Sequence, residues 1–153
     1  MSNLLDAFGT DLDLEETGVW VQMTGDIIVK VRPLGNDKYM RTLERLKKPH
    51  QRMYRSGDVN KDIDNDIQIK AICRDVLVDW RGIQDPDTGK ELPYSYENAV
   101  KLLKDKRIKR FAVQIVEISS EQETFRRVEE EETEKNLEKS SDGNSTGKKS
   151  EKK

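Results

Sequence analysis

Two short runs of β-favouring residues, Val19 to Met23 and Ile27 to Arg32, flank Thr24-Gly25-Asp26, and Pro33 closes the second run. Branched and aromatic side chains on either side of a glycine-containing turn are the signature of a hairpin. Proline cannot donate to a strand ladder, so the pairing ends there. A lone hairpin is marginal in water and must lay one face on something else. The chain after Pro33 is patterned at helical spacing, which supplies that support. The predicted fold class is therefore α+β, mainly α: an N-terminal β-hairpin followed by about four helices.

Asn36 is placed to cap a first long helix to about Lys48, with Tyr39, Met40, Leu43 and Leu46 at helical spacing. Pro49 disfavours helical backbone at the residue before it and stops that helix. His50 to Val59 then reads as a polar loop with Gly57. The next helix is expected from Asn60 or Lys61 to Trp80. Its apolar face carries Ile69, Ile72, Cys73, Val76, Leu77 and Trp80, widened by Ile63 and Ile67, and Gly82 suits its C-terminal cap. Asp85-Pro86-Asp87-Thr88-Gly89 is a turn. Ser95, after Pro93, opens a helix with Tyr96, Ala99, Val100 and Leu103. Asp105 caps a last one with Ile108, Phe111, Ala112, Ile115 and Ile118, and Phe125 lies further along.

Charge and apolar residues are unevenly spread. Of 51 apolar residues in the 153, 42 fall between Gly18 and Arg127. Residues 1–17 carry Asp6, Asp11, Asp13, Glu15 and Glu16 and no base, a balance of -5. Residues 128–153 come to -2, which leaves +5 for the middle of a chain whose net charge is -2. Three segments follow: an acidic N-terminal arm, 1–17; a hairpin plus helical domain, 18–127; and a charged tail, 128–153. The tail has no aromatic residue and too little apolar surface to offset the entropy of ordering, so it is expected to be largely disordered, beyond roughly Lys139. Glu129 to Lys139 is suited to extend a preceding helix through Glu/Lys pairs. Leu4, Leu5, Phe8, Leu12 and Leu14 stand among the acids of the arm, which suits a short helical turn or a docking arm able to fold back on a basic patch.

No apolar run approaches the ~20 residues a membrane span needs. The N-terminal segment has neither the basic nor the apolar region of a signal peptide. A single cysteine, Cys73, excludes an internal disulfide framework. The expectation is a soluble intracellular protein.

Little here is arranged for catalysis. The only histidine, His50, sits in a basic loop and the only cysteine on an apolar face, so the first reads as a surface residue and the second as a buried structural thiol. One of each is too few for a zinc site. Asp58 to Asp66 resembles a calcium loop, but its sixth and twelfth positions hold Ile63 and Ile69 where glycine and glutamate are needed. Those acids favour the start of the following helix instead. No glycine-rich phosphate loop is present. No enzyme, cofactor or metal is expected.

Two basic clusters stand out: Arg41, Arg45, Lys47, Lys48, Arg52 and Arg55 around Tyr54, and Lys101, Lys104, Lys106, Arg107, Lys109 and Arg110. Clustered base with an aromatic residue is a nucleic-acid footprint. Against it stand a pI of about 5.6 and two acidic ends. Solvated helix faces are the plainer explanation.

The stretch from Val76 to Ala99 resembles the tail assembly chaperones of long-tailed bacteriophages. The matching positions are Trp80, Gly82, Asp87, Gly89, Leu92, Pro93, Tyr94, Ser95 and Asn98. In that pattern a helix ends in Trp-x-Gly, an acidic turn follows, and a Leu-Pro-Tyr/Phe-Ser segment opens another helix. Trp80 would anchor the turn, Gly82 cap the helix, and Pro93 and Ser95 start the next. The resemblance implies a non-enzymatic assembly factor of the host cytoplasm. Its partners would be the tape measure protein, which it keeps soluble, and the tail tube protein, which it helps recruit; self-association is compatible with it. Such a protein would be absent from the finished virion. The resemblance also implies a longer frameshifted product, with which the Lys-rich end, Lys148-Lys149 and Lys152-Lys153, is compatible. Candidate partner-binding residues are Tyr39, Met40, Leu43, Met53 and Tyr54, the apolar groups of the first long helix and loop in excess of what a small core needs. The alternatives are a nucleic-acid-binding accessory protein using the basic clusters and a structural tail or connector component.

Overall fold

The structure is a computed structural model that describes residues 1–121 and 124–125. The expected tail, 128–153, lies outside the described residues. The fold is α+β and mainly α. In chain order it runs α1 (Leu4–Phe8), α2 (Leu12–Thr17), β1 (Val19–Gln22), β2 (Ile28–Val31), α3 (Asp37–Lys47), α4 (Gln51–Ser56), α5 (Lys61–Asp75), β3 (Leu77–Arg81), α6 (Tyr96–Lys104) and α7 (Lys109–Ser120).

The hairpin forms as its sequence requires, with Val19 opposite Val31 and Gln22 opposite Ile28. Asn36 caps α3 through its side-chain oxygen, which accepts the Tyr39 N–H at 2.9 Å. Ser95 caps α6 by accepting the Asn98 N–H at 3.0 Å. Asp105 caps a short 3-10 turn, Lys106–Ile108, that leads into α7. In each case a small polar side chain satisfies a backbone donor that the helix leaves without an internal partner.

Three expectations need correction. The polar loop from His50 to Val59 contains a helix: the chain passes through a 3-10 turn, Lys48–His50, straight into α4. Pro49 ends α3 but stands in the first turn of the next helical segment, where its missing N–H costs nothing. The helix expected to reach Trp80 stops at Asp75, and Leu77–Arg81 is a third strand. Apolar periodicity continued through Val76, Leu77 and Trp80, but β2 had an open edge, and pairing with it satisfies a second ladder of backbone groups. Finally, among the described residues five α-helices follow the hairpin where about four were expected, and the arm carries two short ones.

β2 is thus the central strand of an antiparallel sheet in the order β1-β2-β3. Val29 faces Trp80, and Val31 faces Leu77 across a bulge between Lys30 and Val31. The inner face, with Val19, Val29, Val31, Leu77 and Trp80, is buried under Ile72, Cys73, Ala99, Leu102, Leu103 and Ile115 from the helices, and under Phe125. On the outer face the Trp20 ring lies under the Arg81 guanidinium, 4.6 Å away, and near the Lys30 ammonium at 5.9 Å.

The helix-to-strand switch is held by a knot of polar contacts. The Tyr94 hydroxyl donates to the Leu77 carbonyl at 2.8 Å and reaches the Cys73 carbonyl at 3.2 Å. The Trp80 indole N–H donates to the Leu92 carbonyl at 2.7 Å, and the two rings meet edge to face at 5.0 Å. On the other side Asn36 donates to the Asp75 carbonyl at 2.9 Å, and the Thr42 hydroxyl donates to the buried Asp75 carboxylate. The Trp80 to Ser95 segment is therefore a structural clasp. Asp85 turns the chain by accepting the Asp87 and Thr88 N–H groups, and Asp87 and Asp105 both hold Arg107.

Gly82 caps no helix. It follows β3 with φ 77°, and a Cβ there would run into the backbone carbonyl of Asp26. Gly25 also has a positive φ, 64°, but faces open space. Gly25→Ala should cost about 1–2 kcal/mol from backbone strain alone, and Gly82→Ala clearly more. Equal losses in urea unfolding would remove the role given to the Asp26 contact.

Burial pushes the Cys73 thiol up to about 12, and burial, then the neighbouring Cys73 and Asp79 charges, pushes the Tyr94 phenol up to about 12. Both groups hold their proton more tightly when folded. Their contribution is complete below their ordinary values of 9.0 and 10.0 and is lost as pH rises through about 12. Unfolding free energy should therefore fall steeply across that interval, and Tyr94→Phe should flatten the fall. An unchanged slope in the variant would contradict this.

Candidate functional site

The break at Pro49 lies in the middle of one apolar hollow on the surface. α4 follows α3 through the 3-10 turn Lys48–His50 with near-helical backbone at Lys48 and Gln51. Along the two helices lies a groove of about 730 Å³, lined by Met40, Leu43, Lys47, Lys48, Tyr54 and Arg55 together with Asp37, Arg41, Glu44 and Gln51. Gly57, with φ 77°, ends α4 in the left-handed conformation, and the chain then runs to Asn60, which caps α5. Tyr54 is fixed at both ends: its hydroxyl donates to Asp64 at 2.8 Å, and the Lys47 ammonium sits 4.9 Å from the ring centre.

Of the five candidate partner-binding residues, three share this groove. Met40 is 52% exposed on its rim, whereas Leu43 is 8% exposed and forms its floor with the half-buried Tyr54. Tyr39 points elsewhere. It is 6% exposed, donates to Gln68 at 2.8 Å, and borders a different hollow of about 810 Å³ against Ile69, Ile72 and Val116. Met53 lies outside both hollows, and its sulfur accepts the Asn60 N–H at 3.3 Å.

The two basic clusters separate sharply. Lys101 pairs with Asp85, Lys104 with Asp66, and Arg107 with both Asp87 and Asp105. These exposed pairs link α6 to Asp85 and to α5, and the 3-10 turn before α7 to Asp87. Lys104 and then Lys70 hold the Asp66 carboxyl below its usual range. Among the described residues, none of Arg41, Arg45, Lys47, Lys48, Arg52 and Arg55 is in an ion pair. Lys106, Lys109 and Arg110 of the other cluster are likewise in no ion pair among the described residues, and of the first cluster Arg41, Lys47, Lys48 and Arg55 line the groove. Sequence reasoning found these cations and Tyr54 but not their common setting, since it took α4 for a loop. The signal was available: Met53 and Tyr54 flanked by polar residues, with a glycine at position 57 to end a helical turn.

Among the described residues no group of three or more His, Cys, Asp or Glu is placed to hold a metal ion. No helix among them is long and apolar enough to cross a membrane. Cys73 is buried within the core.

The sequence model of a family described as YdaY prophage protein matches residues 34–136. The chain belongs to this prophage protein family. The match takes in the groove and the Trp80 to Ser95 clasp, and leaves the acidic arm and the hairpin outside. Bacteriophage origin follows from family membership. No curated protein and no solved structure matches the chain.

The groove residues make distinct energetic predictions. Met40→Ala in this prophage family member should change stability by no more than about 0.5 kcal/mol, as expected of a surface side chain. Leu43→Ala should cost about 2–5 kcal/mol, as expected of a core one. Comparable losses in urea titrations would place Met40 in the core and close the groove.

Proposed function

We propose that this prophage protein is a tail assembly chaperone that binds the tape measure protein, keeps it soluble and helps recruit tail tube subunits. It works in the host cytoplasm and leaves before the virion is complete. The observation that carries this reading is the α3–α4 groove, an apolar floor of Leu43 and Tyr54 with an exposed methionine on its rim. A groove of this kind takes the apolar face of an amphipathic helix. Methionine adapts to guests of differing shape. Two further facts support it: the prophage family, and the Leu92-Pro93-Tyr94-Ser95 segment that resembles tail assembly chaperones and lies within the matched region. The reading asks no catalysis, cofactor or metal of the protein.

The cations beside Tyr54 favour a second reading, a nucleic-acid-binding accessory protein. It is the weaker one, because carboxylates hold three members of the other cluster.

Co-expression with the tape measure protein of the same prophage should raise that protein's soluble yield several-fold, and Met40→Asp should remove most of the gain. Equal yields with and without this protein would sink the chaperone reading. Titration with labelled duplex and single strands at two salt concentrations tests the second, since phosphate binding weakens steeply with salt. Finding the protein in purified particles by mass spectrometry would indicate a structural tail or connector component.

A further inference from the structure

We propose that the hollow between α5 and α7 is a binding site for a small anionic amphiphile, a molecule with a carboxylate or similar head on a short apolar chain. The site is separate from the α3–α4 groove and does not depend on the function proposed for it. The hollow measures about 810 Å³, within the roughly 300–1,000 Å³ of small-molecule pockets. Ile69 and Ile72 of α5 and Leu103 of α6 are its most deeply buried lining, at 6%, 7% and 5% exposure. Val116 of α7 continues this apolar wall, and Val113, 53% exposed, stands at the mouth. On α5 the lining runs from Asn65 to Ile72 and on α7 from Lys109 to Glu117, which at about 1.5 Å per residue is roughly 10–12 Å, the length of an extended chain of about eight to ten carbons.

Both ends of the hollow are bridged. At one end Lys104, the last residue of α6, pairs with Asp66 of α5. At the other the Leu34 N–H donates to the Ser119 carbonyl of α7 at 2.8 Å, and the Asn36 side chain donates to the Asp75 carbonyl of α5 at 2.9 Å. A guest helix of more than about two turns would run into these bridges, so a compact molecule fits better than a continuing chain. Charge is sorted along the same axis. Lys106 and Lys109 line the first end, and among the described residues neither is in an ion pair. Asp105, beside them, is held by the Arg107 guanidinium. Glu117 lines the far end, about two turns along α7 from Lys109. An anionic head is favoured at the lysines and repelled at Glu117, which sets the direction of the chain. Between the two ends the wall is apolar, and the Tyr39 hydroxyl on it already donates to Gln68 at 2.8 Å. Every lining residue falls within the stretch matched by the prophage family, 34–136, so the hollow belongs to the shared domain.

The test is calorimetric titration of the full chain with decanoate, decan-1-ol and decyltrimethylammonium, each below its micelle concentration. Decanoate should bind several-fold more tightly than decan-1-ol, a modest ratio because ion pairs to exposed lysines are individually weak. Octanoate, two methylenes shorter, should bind roughly tenfold more weakly than decanoate, as burial of the chain requires. Lys106→Glu with Lys109→Glu should reverse the order, so that decyltrimethylammonium binds more tightly than decanoate. Val113→Trp, which covers the mouth, should abolish decanoate binding. All three positions are exposed, so unchanged far-UV spectra and thermal midpoints serve as the folding control. No decanoate binding, equal affinity for decanoate and decan-1-ol, or wild-type binding by the Val113 variant would overturn the site. If an acidic amphipathic helical peptide binds the hollow and decanoate does not, the occupant is a protein segment and the proposal fails as well. None of these readouts involves the tape measure protein, so a failed amphiphile site and a failed chaperone are told apart.

Discussion

Everything in this fold turns on the switch from helix to strand at Asp75-Val76-Leu77. The last carbonyls of α5 have no helical partners, and they are taken up from two directions. Asn36 and the Arg32 guanidinium reach the Asp75 carbonyl, while Tyr94 reaches that of Cys73 and continues to Leu77. A buried carbonyl left without a donor costs about 1–3 kcal/mol. The chain can leave the helix there only because these donors are in place. Once it does, β3 pairs with β2 and the hairpin gains the third strand that makes it a stable sheet.

The switch also connects the two halves of the molecule. Asn36 and Thr42 belong to the start and middle of α3, so the residue that ends α5 also positions the helix that carries the groove. Tyr94 and Trp80 do the corresponding work for α6. The clasp that resembles tail assembly chaperones thus has a structural role, and the groove with Met40 on its rim lies elsewhere, along α3 and α4. Charge pairing differs between the two regions as well: Lys101, Lys104 and Arg107 meet carboxylates near the clasp, whereas among the described residues the groove's Arg41, Lys47, Lys48 and Arg55 are in no ion pair.

Local chemistry was legible in the sequence. The hairpin, the Asn36 and Ser95 caps and the Asp85 to Gly89 turn each depend on residues close in sequence, and each forms where it was expected, whereas Asp105, expected to cap the last helix, caps the 3-10 turn before it. Errors came where a long-range contact decided between two local options. Val76, Leu77 and Trp80 fit a helical face and a strand equally well, and the open edge of β2 selected the strand. Pro49 signalled a break, but not that a new helix would begin in the same turn. Met40, Leu43, Tyr39, Met53 and Tyr54 were one group by composition, and packing divided them: Met40, Leu43 and Tyr54 line a groove, Tyr39 borders a second hollow, and Met53, on α4, lies outside both.

The sequence by itself determined the α+β class, the Asn36 and Ser95 caps, the acidic arm and the concentration of apolar residues between Gly18 and Arg127, because these follow from backbone preferences and from counting. Only the tertiary structure decided that the sheet has three strands, that Tyr39 is core and Met40 is surface, and that three members of one basic cluster meet carboxylates while four of the other line a groove. Those outcomes depend on which distant groups meet. Asp66 is 38 residues from Lys104, and Asp75 is 33 from Thr42. No local pattern records such meetings; the packing of α5 against its neighbours brings them about.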